Sequence, residues 1–118
     1  HKPRIVVIEL GGNDGLRGYP LGQLRENLIA MIELSEAAGA TALVLPMELP
    51  PNLGKFYNDA FRATFTQAAQ QTGAALADFP LASVALEPKL MQADGIHPTA
   101  AAQPRILDAV WSSLEGLL

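Results

Sequence analysis

The stretch Arg4-Ile5-Val6-Val7-Ile8-Glu9-Leu10-Gly11-Gly12 decides the fold of this chain. Its β-branched centre predicts a strand buried on both faces, as in parallel sheets, and the two glycines end that strand and open a loop. A second apolar run, Thr41–Leu45, stops at Pro46, and Ala74–Asp78 predicts a third, weaker strand. We therefore expect a sheet built from short buried strands.

Segments with helical periodicity separate these strands. Apolar side chains recur at helical spacing over Leu21–Ala38 and over Tyr57–Gly73, with a glycine at the C-terminal end of each segment. A last helix is expected after Thr99 as its cap, with Pro104 in its first turn. Its apolar stripe consists of Ile106, Leu107, Val110, Trp111, Leu114 and Leu118. This order of strands and helices predicts one α/β domain over residues 1–118, with a parallel sheet and right-handed crossovers.

The composition excludes several classes of function. A net charge of −4 over 118 residues, with no cluster of Lys or Arg, gives no electrostatic footprint for nucleic acid or an anionic membrane surface, so we expect a small or uncharged partner. The absence of cysteine excludes disulfides, thiolate metal sites and a Cys nucleophile. The apolar runs are too short to span a membrane, and a start at His1 rather than Met is expected of a processed or cut product.

Three loops of unusual composition leave the carboxyl ends of the predicted strands. They cover residues 11–20, 47–54 and 79–98. Ligands of open parallel sheets bind outside the carboxyl ends of the strands. The sequence therefore predicts that the functional site lies on the rim formed by these loops.

Asp94 and His97 lie close together in the last of these loops. A histidine has an unperturbed pKa near neutral, and an adjacent carboxylate fixes the tautomer of its ring and stabilises the imidazolium, as in hydrolase triads. The alternative is structural: the aspartate forms an Asx-type turn and the histidine is merely hydrogen-bonded. A metal site needs a third ligand, and because the only other histidine is His1 we predict no metal.

The loop after the first strand begins Gly11-Gly12-Asn13-Asp14-Gly15. Glycines let the backbone approach a ligand closely, and the Asn13 amide would then donate to the oxyanion of a tetrahedral intermediate. The alternative is that Asn13 and Asp14 only shape a tight turn. Neither glycine-rich phosphate-binding motif is present, which argues against a nucleotide ligand.

No residue of the chain is a convincing nucleophile. Three of the four serines fall on predicted helices, and none lies in a glycine-flanked turn. The four are Ser35, Ser83, Ser112 and Ser113.

Spaced segments of the chain carry a resemblance to a known family. Val7–Gly18 and Asp94–Pro98 resemble the third and fifth sequence blocks of the SGNH, or GDSL, hydrolases, and Leu49–Gly54 with Tyr57–Phe61 is similar to the middle of those enzymes. The closest resemblance is to the bacterial periplasmic thioesterase, lysophospholipase and arylesterase branch. It implies a three-layer α/β/α, flavodoxin-like parallel sheet (the SGNH hydrolase fold) of which this chain holds the C-terminal half. It also implies no cofactor and a periplasmic or secreted location.

The resemblance implies a role for each candidate residue. Asn13 matches the oxyanion-hole asparagine, His97 the general base, and Asp94 the residue that orients this base. Leu16 lies in a segment that resembles a mobile loop beside the acyl site, and Leu49 matches the position that lines the acyl groove. The implied substrates are acyl thioesters, aryl esters and lysophospholipids.

The chain departs from the family in one respect. The Gly-Asp-Ser-Leu block that holds the nucleophile, and the block with an oxyanion-hole glycine, are absent from residues 1–118. We expect a serine from outside this chain to complete an ester or thioester hydrolase, and the chain alone to be inactive. The first strand has an apolar edge, so it is expected to pair with the missing N-terminal segment or with a second copy of the chain. The alternative is an inactive truncated fragment with a structural or self-associating role.

Overall fold

Three short parallel strands form one sheet in the order β1-β2-β3. The computed structural model describes residues 1–118 and places β1 at Ile5–Ile8, β2 at Thr41–Val44 and β3 at Ala75–Leu76. The register sets Ile5 opposite Thr41 in the first pair of strands. The three predicted strands are confirmed, and each is shorter than its apolar run.

Four helices connect and cover the strands. α1 spans Gly12–Leu16, α2 spans Leu21–Ala37, α3 spans Lys55–Thr72 and α4 spans Gln103–Glu115. The three longer helices confirm the periodicity of the sequence, and Gly73 ends α3 in the left-handed conformation with a φ of 78°. None of the four has both the length and the apolar character that a membrane span requires. Short 3₁₀ turns lie at Pro51–Leu53, Pro88–Leu90 and Ala100–Ala102.

Two local predictions are wrong. The segment after β1 is a single helical turn rather than an open loop, because its glycines let it pack against side chains of α3 and of the 47–54 loop. Thr99 does not cap the last helix: a 3₁₀ turn precedes α4, and the Thr99 hydroxyl is buried without a hydrogen-bond partner. Pro104 does lie in the first turn of α4, where its missing N–H is not needed.

The main core lies between the sheet and the helices α2 and α3. Apolar side chains of β1 and β2 pack there against fully buried side chains of both helices. The largest of these are Leu28, Ile32, Phe61 and Phe65. The two phenylalanine rings meet edge to face, with their centroids 5.2 Å apart. This face of the sheet is closed.

The opposite face of the sheet is covered only in part. Val110 and Leu114 of α4 pack on a small buried cluster from β2 and the end of β3, which makes the architecture a three-layer α/β/α fold. β1 has no such cover, and its Val7 side chain is 45% exposed. Leu107 and Trp111 of α4 are also exposed. The prediction of a strand buried on both faces is therefore wrong for β1, because burial of its second face needs a neighbour that residues 1–118 do not place there.

Candidate active site

α1 holds Asn13 at the carboxyl end of β1. Gly11, the residue before the helix, has a φ of 114°, which favours glycine, and a Cβ there would lie 3.0 Å from Leu24. A Cβ on Gly15 would lie 2.5 Å from the buried ring of Phe61. The helical turn therefore lies directly on the core, and only glycine fits at these two contacts.

Asn13 lines a groove of about 700 Å³ at the rim of the sheet. Its side chain is exposed, and the residue shares the groove with Leu16 from the same turn and with His97 from the last loop. The fold thus brings together three of the residues that the sequence predicts for the site, from segments more than 80 positions apart. The rim on which they meet is the one expected of a parallel sheet.

Both oxygens of the Asp94 carboxylate bind the loop that carries His97. Oδ1 accepts the backbone N–H groups of Ile96 at 2.9 Å and of His97 at 3.0 Å, and the His97 Nδ1–H donates to Oδ2 over 2.5 Å. The hydrogen bond from the His97 ring, assisted by the two backbone N–H groups, lowers the pKa of Asp94 from 3.8 to about 2. The Asx-type turn and the hydrolase-type pair, which the sequence leaves as alternatives, coexist in one carboxylate.

The engagement of Nδ1 has a chemical consequence for His97. Because Nδ1 is held by Asp94, Nε2 is the ring nitrogen left for proton transfer. The imidazole is accessible, since 68% of the His97 side chain is exposed. An ionised carboxylate behind an accessible imidazole is the arrangement that lets a histidine serve as a general base.

The base of this loop is closed by local hydrogen bonds. The backbone N–H of Gln92 donates to the His97 carbonyl over 2.7 Å, and its side-chain amide donates to the Pro98 carbonyl over 3.1 Å. Met91 and Pro98 form an antiparallel bridge. Residues 92–97 are all exposed, so backbone and polar side chains rather than burial hold His97 in place.

Leu49 lies in a second, smaller groove of about 200 Å³. Its other walls are mainly apolar and come from the 79–96 segment and the 47–54 loop. Leu16 and Leu49, both predicted as acyl contacts, therefore line different grooves. Ile96 lines both of them, so the two grooves are neighbours across the His97 loop.

The chain supplies neither a metal site nor a serine at the groove of Asn13 and His97. No group of three or more His, Asp or Glu side chains could hold a metal ion. No serine lines this groove. Ser35 and Ser112 instead donate to backbone carbonyls of their own helices.

The sequence pattern of the GDSL-like lipase/acylhydrolase family matches residues 1–104, which is most of the chain. The chain belongs to this family. Esterase TesA of Pseudomonas aeruginosa is 50% identical over 117 residues, which are 99% of this chain and 58% of that protein. Thioesterase 1/protease 1/lysophospholipase L1 of Escherichia coli is 42% identical over 118 residues, which are 100% of this chain and 57% of that protein.

Solved structures of the GDSL-like family share this fold. A crystal structure of TesA matches 99% of this chain and 65% of its own with a TM-score of 0.96, at 50% sequence identity. The predicted family and α/β fold are thereby confirmed. The chain spans little more than half the length of the curated relatives it matches.

Two residues that line the grooves were not predicted from the sequence. Met47 lines the first groove beneath Gly12, where a Cβ would lie 2.8 Å from the methionine methyl group. Its only signal in the sequence is its place just after the second strand. Ile96 had a stronger signal, because it lies between Asp94 and His97, but its contact with both grooves depends on the fold.

Proposed function

We propose that this chain is the part of a serine esterase or thioesterase that carries the acid–base pair and one oxyanion donor. The observation that supports this most directly is a single groove shared by His97, whose ring is bonded to Asp94, and by the exposed Asn13. The names of the family relatives, an esterase and a thioesterase/lysophospholipase, point to the same chemistry. The complete enzyme, in this proposal, consists of the chain and a segment that supplies a serine.

The first half of the reaction forms an acyl-enzyme. His97 Nε2 takes the proton of the serine hydroxyl while the serine oxygen bonds to the carbonyl carbon of the substrate. The Asn13 side-chain amide donates to the oxyanion of the tetrahedral intermediate, and Asp94 stabilises the imidazolium. The bond to the leaving group then breaks, and His97 returns the proton to the departing alcohol or thiol.

The second half hydrolyses that intermediate. Water adds to the acyl carbon as His97 takes one of its protons, and the collapse of the second tetrahedral intermediate releases the acid and the serine, to which His97 returns the proton. No metal and no organic cofactor takes part in these steps. The proposed substrates are acyl thioesters, aryl esters and lysophospholipids, with the apolar acyl chain over Leu16 and Leu49.

The open side of the sheet supports the proposed partner segment. β1 is an edge strand with a half-exposed Val7, and a third groove, of about 570 Å³, lies between its carboxyl end and α4. Unpaired edges of this kind pair with another strand. We propose that the segment with the serine pairs with β1, or that a second copy of the chain does so where that segment is missing. A periplasmic or secreted location is part of this proposal and rests on the family resemblance alone.

A fluorophosphonate probe followed by intact-mass measurement tests the proposal. We expect the probe to label a polypeptide that carries the serine, either longer than this chain or bound to it, and not the 12.5 kDa chain itself. His97→Ala in the same sample removes the labelling, because the serine is no longer activated. A sample in which ester hydrolysis and labelling persist without His97 would contradict the proposed mechanism. A lone 12.5 kDa species that neither reacts nor hydrolyses esters would instead support the inactive fragment.

A further inference from the structure

The first turn of α3 contacts both loops on which the proposed site depends. The Tyr57 hydroxyl donates to the Gly15 carbonyl over 3.0 Å, and the side-chain amide of the next residue, Asn58, donates to the Pro50 carbonyl over 3.1 Å. Gly15 belongs to the helical turn of Asn13, and Pro50 follows Leu49. We propose that Tyr57 is a positioning residue that sets the oxyanion donor Asn13, with Asn58 as its counterpart for the acyl-contact loop, an inference that rests on the proposed function.

α1 needs such external support. It has five residues, and an isolated helix of that length is unstable in water because nucleation is unfavourable. Gly11 provides no side-chain cap at its N-terminus. Tyr57 supplies a side-chain hydrogen bond to α1 from outside the 11–20 segment, and it acts on the turn that follows Asn13 directly.

The Tyr57 hydrogen bond is well placed to fix a rotation. Gly15 is buried against the ring of Phe61, a contact that fixes how closely α1 approaches α3 but provides no polar restraint on its orientation. The half-buried Tyr57 hydroxyl supplies that restraint, because it joins the Gly15 carbonyl to a fixed point on α3. Packing against Phe61, the backbone hydrogen bonds within residues 11–20 and the Tyr57 hydrogen bond together determine where the Asn13 amide lies in the groove.

Asn58 acts in the same way on the loop that carries Leu49. Its Oδ1 atom is buried without a hydrogen-bond partner, whereas its side-chain amide donates to the Pro50 carbonyl. Glu48, near the start of the same loop, forms an ion pair with Arg62 of α3, with their nearest atoms 3.3 Å apart. One rigid helix thereby fixes the oxyanion donor and the acyl contact relative to each other, as a catalytic constellation requires.

Tyr57→Phe in the complete enzyme tests the positioning of Asn13. The variant keeps the ring and removes only the hydroxyl. We expect the hydrogen-exchange rate of the α1 amides to rise about fivefold and kcat to fall about fivefold, because each change corresponds to the loss of one hydrogen bond. KM changes less than about twofold, because Asn13 acts on the oxyanion rather than on the bound ester. Thr72→Val is the matched control, since it removes another hydroxyl-to-carbonyl hydrogen bond of α3, of 2.8 Å, at the far end of the helix.

The two readouts separate the inference from the proposed function. Unchanged α1 exchange in Tyr57→Phe overturns the inference, whether or not the protein hydrolyses esters, and so does a fall in kcat that Thr72→Val reproduces. A wild-type protein without ester hydrolysis overturns the proposed function, whereas the exchange measurement still decides whether Tyr57 holds the turn. Asn58→Leu gives the second arm: we expect a higher KM for a long-chain ester and an unchanged KM for an acetyl ester, and an equal rise for both contradicts the role of Asn58.

Discussion

The turn that carries Asn13 and the loop that carries His97 line the same groove, yet they are held in opposite ways. The Asn13 turn lies on the core, with Gly15 buried against Phe61. The His97 loop lies outside the core, and its side-chain pair remains 68% and 43% exposed for His97 and Asp94. Hydrogen bonds within the loop replace packing there.

In the His97 loop, the residues proposed for the reaction are therefore distinct from those that stabilise the fold. In the Asn13 turn, the same contacts serve both. A substitution in the His97 loop removes few buried contacts, so we expect it to change the proposed reaction without unfolding the protein. A substitution under the Asn13 turn changes the core and the proposed oxyanion donor together. Four measurements test this distinction.

His97→Ala is the sharpest test on the exposed side. In the complete enzyme we expect kcat to fall roughly 10⁴-fold or more, because in the proposed mechanism His97 acts as a unit with the serine nucleophile. The free energy of unfolding should change by less than about 0.5 kcal/mol, since the side chain is largely exposed. Steady-state kinetics and urea unfolding on the same preparation measure both. A large loss of stability would contradict the exposed position of this side chain.

Phe61→Ala is the corresponding test on the buried side. The ring is fully buried, so its loss should lower the free energy of unfolding by about 3–5 kcal/mol. We expect kcat to fall as well, because the contact that supports Gly15 disappears. Phe56→Ala on the same helix is the control: this side chain is 91% exposed, and its removal should change stability by less than about 0.5 kcal/mol. Equal effects of the two truncations would contradict the burial described here.

Gly15→Ala tests the same contact by adding a single methyl group. The new Cβ meets the Phe61 ring at 2.5 Å and Leu49 at 2.8 Å, so we expect a loss of about 1–3 kcal/mol from overpacking. Gly22→Ala in α2 has open space around its Cβ and should instead stabilise the protein by about 0.5–1 kcal/mol. Thermal or urea unfolding of the pair measures the difference. A neutral Gly15→Ala would mean that the turn shifts freely.

The smallest effect is the titration of Asp94. Its pKa lies at about 2 in the folded protein, below the usual 3.8. The ionised carboxylate therefore stabilises the His97 loop in full at pH values above 3.8, and this stabilisation is lost as the pH falls through about 2. Carboxyl ¹³C NMR measures the midpoint. In His97→Ala we expect the pKa to rise, because the ring hydrogen bond is its largest cause, but to stay below the usual value while the two backbone N–H groups remain. An unchanged midpoint would show that the ring does not hold the carboxylate.

Local patterns in the sequence predicted the longer helices and the strands. The predictions that were wrong concern features that depend on tertiary contacts. Helical spacing and terminal glycines were sufficient for α2 and α3, and β-branched runs were sufficient for the strands. α1 was missed because a five-residue helix forms only where side chains such as Phe61 support it. The burial of Val7 was overestimated because the second face of β1 is buried only if another element covers it, and the sequence of the strand does not say whether one does.

For the candidate site, the sequence predicted the pairing but not the surroundings. The spacing of Asp94 and His97 placed both in one short loop but left a catalytic pair and an Asx-type turn as alternatives, and the structure shows both sets of hydrogen bonds. The meeting of Asn13 with His97 followed from the rule that parallel strands end at one edge. The separation of Leu16 and Leu49 into two grooves did not follow, because it depends on how the 79–96 segment folds over the rim. The catalytic roles of these residues remain predictions.

Ile96 lines both grooves, and this makes it a natural reporter for ligands. A ¹³C-labelled methyl group at this position would sense any molecule that enters either groove, and the two environments would give two different chemical shifts. Esters of increasing acyl length could then be sorted by where their chains rest, from spectra of a protein that need not turn them over.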